Sequence, residues 1–310
     1  MGKNFIKSEE KIREIINNYD EFNFRGNFFK IIICCKPRLQ GSGGEVKTDI
    51  YLKAKNQANL KVEEFKISYK QPNWAFIENK VKKEKAEKIY GPEWSTIIQN
   101  QIEDIKDKKK DNFSTAKLFY AFKKKKRIYP GSFTLGWRYE IEKDSTRKLH
   151  AIIKEDIYEQ IYISKGQHDK YRNALIDNKE VKNSGVPNYY FEGDTSDIHN
   201  IDDIMANIIP IADAMKTHTP CASFLAHNFD PINNKQHGGN KRDLGVAVKW
   251  CADDKLLNYE ILYNVPLKND SNWAREKLVI ALHNLGIEIG GNFDIDKVVS
   301  LIRDKNIIEY

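Results

Sequence analysis

The run NFFKIIICC at 27–35 constrains the fold of this chain more than any other stretch. Nine residues dominated by aromatic and β-branched side chains are too short for a stable helix and read as a buried strand. Its surroundings extend the pattern. Ser8 is placed to cap a helix over 9–18, whose Ile12, Ile15, Ile16 and Tyr19 recur at helical spacing. After a glycine-rich turn, GSGG (41–44), the segments VKTDIYLKA (46–54) and LKVEEFKISYK (60–70) read as two further strands, joined by NQAN (56–59). A helical run follows from Asn73 to about Asp107, with a break at YGPEW (90–94). A helix, three consecutive strands and then helices predict an α/β class, with a mixed central sheet flanked by helices.

The rest of the chain predicts additional C-terminal α+β elements. GSFTLGWRYEIEK (131–143) reads as a strand, KEDIYEQIYI (154–163) as a helix, and 164–200, rich in Gly, Asn and Asp, as loops. IDDIMANIIPIADAMK (201–216) reads as helical around Pro210. PCASFLAHNF (220–229), DLGVAVKWCA (243–252) and KLLNYEILYNV (255–265) read as strands, and SNWAREKLVIALHNLG (271–286) as a helix.

A length of 310 residues suits one large domain or two modest ones with a real core. A composition of 40% hydrophobic and 31% charged residues excludes a disordered tail. The net charge of +7 is compatible with a polyanionic partner but is weak evidence by itself. No stretch approaches the roughly 18 apolar residues of a membrane span, and the opening MGKNFIKSEEKIREII holds no signal-peptide core. Cys34, Cys35, Cys221 and Cys251 do not form a disulfide framework in a chain of this size. A reduced, cytoplasmic protein without membrane attachment is expected.

Two of the strands carry the chemistry. Side chains alternate along a strand, so Glu64, Lys66, Ser68 and Lys70 share one face and Phe65, Ile67 and Tyr69 the other. Counted from a turn near Gln57, Asp49 is eight residues back and Glu64 seven forward, which places the two nearly opposite. Adjacent carboxylates repel unless a cation lies between them, and oxygen ligands favour a hard metal such as Mg²⁺. The same residue types also fit a solvated sheet face with weak cross-strand pairs.

Asp49, a gap of fourteen residues and then Glu64-Phe65-Lys66 resembles the core motif of the PD-(D/E)XK nucleases, a group that includes most type II restriction endonucleases. The element order over about residues 8–110 is similar too: a first helix, then a meander with the acid on its second strand and E-x-K on its third. Thr48 stands where the family name places proline. The resemblance implies a restriction-endonuclease-like core over 1–165 and a DNA-recognition and accessory region over 166–310, packed as one continuous structure. It implies a sequence-specific endonuclease that hydrolyses double-stranded DNA with Mg²⁺, commonly as a homodimer, with a companion DNA methyltransferase protecting host DNA. Asp49, Glu64 and the backbone carbonyl of Phe65 would hold the metal, and Lys66 would position the attacking water. An acid of the first helix, Glu9 or Glu10, completes some such sites; helical phase does not choose between them, and Glu10 stands as the candidate. Ser68, Lys70 and Gln71 would meet the phosphate backbone.

Other features admit two readings. The clusters Lys108–Lys110 and Lys123–Arg127 suit phosphate contacts or solvated helix ends. The loop DPINNKQHGGNKR (230–242) carries Asn240, Lys241 and Arg242, types that read base edges, with Arg242 the first choice; any exposed polar turn looks similar. HTPC (218–221) supplies only half of a zinc-ligand spacing. Two alternatives stand beside restriction: a repair or recombination nuclease that reads DNA structure, and a non-catalytic nucleic-acid-binding protein.

Overall fold

The computed structural model describes residues 2–41, 45–72, 75–122, 128–145, 147–165, 169–239 and 241–310, and their side chains except at 2–6 and 170. It is a mixed α/β protein with two compact units, one of 1–75 with 154–219 and the other of 76–153 with 220–310. The boundary expected at 165/166 falls inside the first unit. Most of the expected GSGG turn and all of Lys123–Arg127 lie outside the described residues.

In the first unit, helix α1 spans Gly2–Asn17 and starts earlier than its expected cap. It lays Ile12 and Ile16 onto the sheet. Strand β1, Glu21–Phe24, was not expected; it pairs with β2, Asn27–Cys35, across a turn in which Arg25 and Gly26 both have positive φ. β2 is not buried throughout: Phe29 is 2% exposed and Phe28 55%. Helices cover only one of its faces. β3, Ile50–Asn56, and β4, Val62–Lys70, complete an antiparallel meander.

The chain then enters the second unit through α2, Lys83–Tyr90, α3, Trp94–Lys106, and β5, Ser132–Glu142. The expected helical run instead begins with a short strand, Phe76–Glu78, paired with β5. On returning, the chain forms α4, Tyr158–Ile163, and β6, Tyr189–Glu192. β6 pairs parallel with β4, Tyr190 beside Ser68 and Glu192 beside Lys70. A parallel neighbour requires a long crossover, and here that crossover includes part of the other unit. The segment expected to be loops thus holds an interior strand of the sheet, four residues long and hidden in the sequence by the Asn and Gly around it.

Two helices follow rather than one: α5, Ile201–Asn207, with a capping box from Asn200 and Asp203, and α6, Ile211–Thr217. Ile209–Pro210 between them is extended and pairs with β6, because proline lacks an N–H and disfavours helix in the residue before it. Phe22, Phe29, Phe65, Ile67 and Tyr69 of the sheet pack with α1 and α5 in one apolar cluster.

In the second unit, β7, Cys221–Asp230, β8, Lys235–His237, β9, Leu244–Asp253, and β10, Leu256–Leu262, form with β5 an antiparallel ladder in the order β8-β7-β5-β9-β10. The polar loop expected over 230–242 folds back as β8, His237 pairing with Asn228. Helix α7, Ser271–Asn284, packs on β9, and Asp270 caps it through the Asn272 and Trp273 N–H groups. Along β5, Phe133, Trp137, Tyr139 and Ile141 alternate with Thr134, Arg138, Glu140 and Glu142, and only Arg138 is more than marginally exposed. The sheet therefore carries one apolar and one polar buried face. Among the described residues no helix is long and apolar enough to cross a membrane.

Candidate functional site

The β3–β4 register decides which residues meet. Lys55 pairs with Val62, Lys53 with Glu64, Tyr51 with Lys66 and Ile50 with Ile67. Asp49, just before β3, donates its N–H to the Ile67 carbonyl at 2.9 Å and so comes opposite Ser68. The expected juxtaposition of Asp49 and Glu64 does not occur: four residues along a strand separate their levels, roughly 13 Å. The cause is the turn. Asn56 accepts the Ala58 and Asn59 N–H groups on its side chain and the Leu60 N–H on its carbonyl, and Leu60 turns to φ 61°. The connection therefore centres beyond Ala58 rather than near Gln57, and every pairing shifts with it.

Asp49 Oδ2 accepts the Tyr69 N–H at 2.8 Å and lies 3.5 Å from Ser68 Oγ. Its carboxyl is held above the usual carboxylate range by burial, against the lowering effect of Lys70, the Tyr69 N–H and Lys36. Glu9 of α1 is drawn into the same group. Buried at 5% exposure, its carboxyl is raised by desolvation and by the charge of Asp49. Lys36, just after β2, donates to Glu9 Oε2 at 2.6 Å. Burial opposes the charged form of Lys36, but Glu9 together with the charges of Glu45 and Asp49 outweighs it and the group stays above its ordinary value.

Helical phase explains why Glu9 and not Glu10 faces inward. Ser8, Glu9, Ile12 and Ile16 form the buried stripe of α1, and Glu10 is exposed. Of the two first-helix acids, Glu9 therefore faces the sheet and Glu10 faces solvent. Gln71, expected on phosphate, donates instead to Ser8 Oγ at 2.7 Å and ties the end of β4 to α1. One end of the sheet therefore brings together Asp49, Glu9, Lys36, Ser68 and Lys70.

Glu64 and Lys66 lie farther along β4. Tyr51 donates to Glu64 Oε1 at 2.6 Å, and Lys66 Nζ donates to the Asn183 carbonyl at 3.2 Å. Burial pulls the Lys66 ammonium below its ordinary value, while Glu64 opposes this. Asn188 clamps their backbone, accepting the Lys66 N–H at 2.7 Å and donating to the Glu64 carbonyl at 2.8 Å. The Phe65 ring is core, packed among Phe22, Phe24, Phe29 and Tyr189.

The sequence reading missed Lys36 and gave Lys70 only a backbone-contact role. The signal for Lys70 was the Asn56 turn chemistry, which sets the β3–β4 register; Lys36 meets Glu9 through the packing of α1, for which the sequence carries no local signal.

In the second unit, Arg242 Nε donates to the Gly238 carbonyl at 3.0 Å, and Lys241 Nζ lies 3.4 Å from Asp270 Oδ2. Asn240 is outside the described residues. Among the described residues no group of three or more His, Cys, Asp and Glu side chains is arranged to hold a metal ion. The charge of Asp49 raises the Glu9 carboxyl, and carboxylate oxygens as a type suit a hard cation such as Mg²⁺ better than a softer metal. No family model, no curated protein sequence and no solved structure matches the chain.

Proposed function

We propose that the chain is a sequence-specific double-stranded DNA endonuclease of the PD-(D/E)XK type, with its reactive groups at the Asp49 end of the sheet. The observation that carries this reading is the geometry of that end: Asp49 accepts the Tyr69 N–H beside Ser68 and Lys70, Gln71 ties β4 to Ser8 of α1, and the next residue, Glu9, is buried and bonded by Lys36. The topology supports it: a first helix, an antiparallel meander with the acid leading its next-to-last strand, and a parallel strand added beside the last. In this assignment Ser68-Tyr69-Lys70 takes the place expected of Glu64-Phe65-Lys66.

Asp49 and Glu9 would hold Mg²⁺, which supplies phosphate polarisation and a water of lowered pKa. The Tyr69 N–H fixes one Asp49 oxygen and leaves the other for ligation. Lys70, whose charge already acts on Asp49, offsets negative charge developing on the phosphate. Lys36 holds Glu9 in its inward rotamer. Lys53 and Lys55, on the sheet face shared with Glu64, add positive charge for a DNA backbone.

Ser68 favours a second reading, a DNA-binding protein that does not cut, since a hydroxyl faces Asp49 where the motif has a carboxylate. Incubation of the full chain with unmethylated phage DNA and Mg²⁺ separates the two. Discrete fragments that vanish in Asp49→Ala and Lys70→Ala support the endonuclease. Binding without cleavage supports the second reading, and exonucleolytic smears or preference for branched DNA would mark a repair enzyme.

A further inference from the structure

The loop that leads from β8 into β9 is built around two guanidinium groups of the second unit. Gly238 and Gly239 hold φ of +108° and +110°, and a Cβ at Gly239 would stand 2.7 Å from Arg242 Nη2. Only glycine permits that approach in that conformation. With Arg242 Nε fixed on the Gly238 carbonyl, the two terminal amino groups face no acceptor among the described residues and form a donor fork. A Cβ at Gly238 would meet the Arg138 guanidinium at 3.4 Å, so the same turn packs on both arginines.

These side chains line a small cleft with Lys80, Lys82, Glu140 and Asp243. Glu140, 2% exposed, accepts the Lys80 N–H and pairs with Arg138 Nη1 at 3.5 Å. Asp243, next to Arg242 in sequence, is half-buried on the cleft wall; its Oδ2 accepts the Lys83 N–H at 3.4 Å, which leaves Oδ1 as the oxygen for a ligand. The mixture of signs decides what such a cleft takes. The cations of the lining outnumber its acids four to two, and Glu140 is already neutralised by Arg138; a phosphate would use the cations and leave the Asp243 carboxylate facing a like charge. A base pair offers what the wall lacks. In the major groove, guanine presents O6 and N7 as acceptors to an arginine fork, and its partner cytosine presents N4–H to a carboxylate.

We propose that Arg242 and Asp243 read one G·C base pair of duplex DNA, Arg242 donating to guanine and Asp243 accepting from cytosine. Arg138 and Glu140 act as positioning residues that shape the cleft. The assignment rests on the reading that duplex DNA is the substrate.

The test uses the full chain carrying Asp49→Ala, so that bound DNA is not cut, and a pool of random-sequence duplexes selected by binding and then sequenced. The expected motif contains a fixed G·C pair. Adding Arg242→Lys, which keeps the charge and loses the fork, lowers preference at that one position on the order of tenfold to a hundredfold while overall binding persists. Asp243→Asn relaxes the same position, and N4-methylcytosine at that position weakens binding by the parent. A motif without a fixed G·C pair, an unchanged motif in both variants, or no sequence preference in the parent overturns the proposal. Selective binding by the parent without cleavage by the unmutated chain defeats the endonuclease reading alone. Cleavage that depends on Asp49, with an unchanged motif in Arg242→Lys and Asp243→Asn, defeats this inference alone.

Discussion

Asp49 accepts the Tyr69 backbone N–H at 2.8 Å. That bond fixes the acid at the end of β4, one residue from Lys70 and well away from Glu64. It makes Asp49 a terminator of the β3–β4 ladder as well as a charged group.

The first prediction separates the two lysines. Lys70→Ala and Asp49→Ala each lower cleavage of phage DNA by about a hundredfold or more, the scale of losing a group that meets developing charge. Lys66→Ala leaves cleavage within a few-fold of the parent, because Lys66 pairs opposite Tyr51 and bonds Asn183. Initial rates under saturating Mg²⁺ measure both, and a large loss in Lys66→Ala with none in Lys70→Ala would falsify the reassignment.

On α1, neighbouring acids behave differently. Glu9→Gln lowers cleavage on the order of tenfold to a hundredfold and raises the Mg²⁺ concentration needed for half-maximal rate. Glu10→Gln changes neither, since its side chain is exposed. A Mg²⁺ titration of the two variants side by side gives the answer.

The second unit contains a pH-sensitive histidine. His227 is 0% exposed, bonds Gln236 Oε1 through Nε2 at 3.0 Å, and burial lowers its pKa to about 4 from an ordinary 6.5. A base depressed in the fold is stable above the unfolded pKa, and its contribution is lost as pH falls from 6.5 toward 4. The loss across that window is about 3 kcal/mol. Urea unfolding at pH 7 and pH 5 shows a fall in stability for the parent, and His227→Gln removes most of that pH dependence.

A backbone prediction concerns Gly136, at the irregular pairing of β5 with β7 and β9. Its φ is +143°, and a Cβ there would stand 2.4 Å from the Val246 carbonyl oxygen. Gly136→Ala destabilises the protein by roughly 2 kcal/mol or more, seen as a lower denaturation midpoint. Equal stability to the parent would mean that this approach is looser than 2.4 Å.

Several elements were legible because their patterns are local. The NFFKIIICC strand, the strands over 132–142, 221–230 and 244–253 and the helix from 271 each show apolar periodicity or β-branched runs within one window. β6 was not, because YYFE is a strand only where β4 offers it a parallel edge. The helix expected through Pro210 broke where proline chemistry says it should, so that signal was present and underweighted.

The sequence by itself determined which faces are apolar, that Glu64, Lys66 and Lys70 share one face of a strand, and that Asp49 lies near the start of another. Those follow from residue type and the two-residue repeat of a strand. Which of those acids and lysines meet was decided only by tertiary structure. The Asn56 turn set the register, α1 brought Glu9 rather than Glu10 to the sheet end, and a strand 122 residues later in the chain fixed the far edge of β4. Pairing partners lie outside any local window, and a shift in one turn carries every side chain beyond it to a new neighbour.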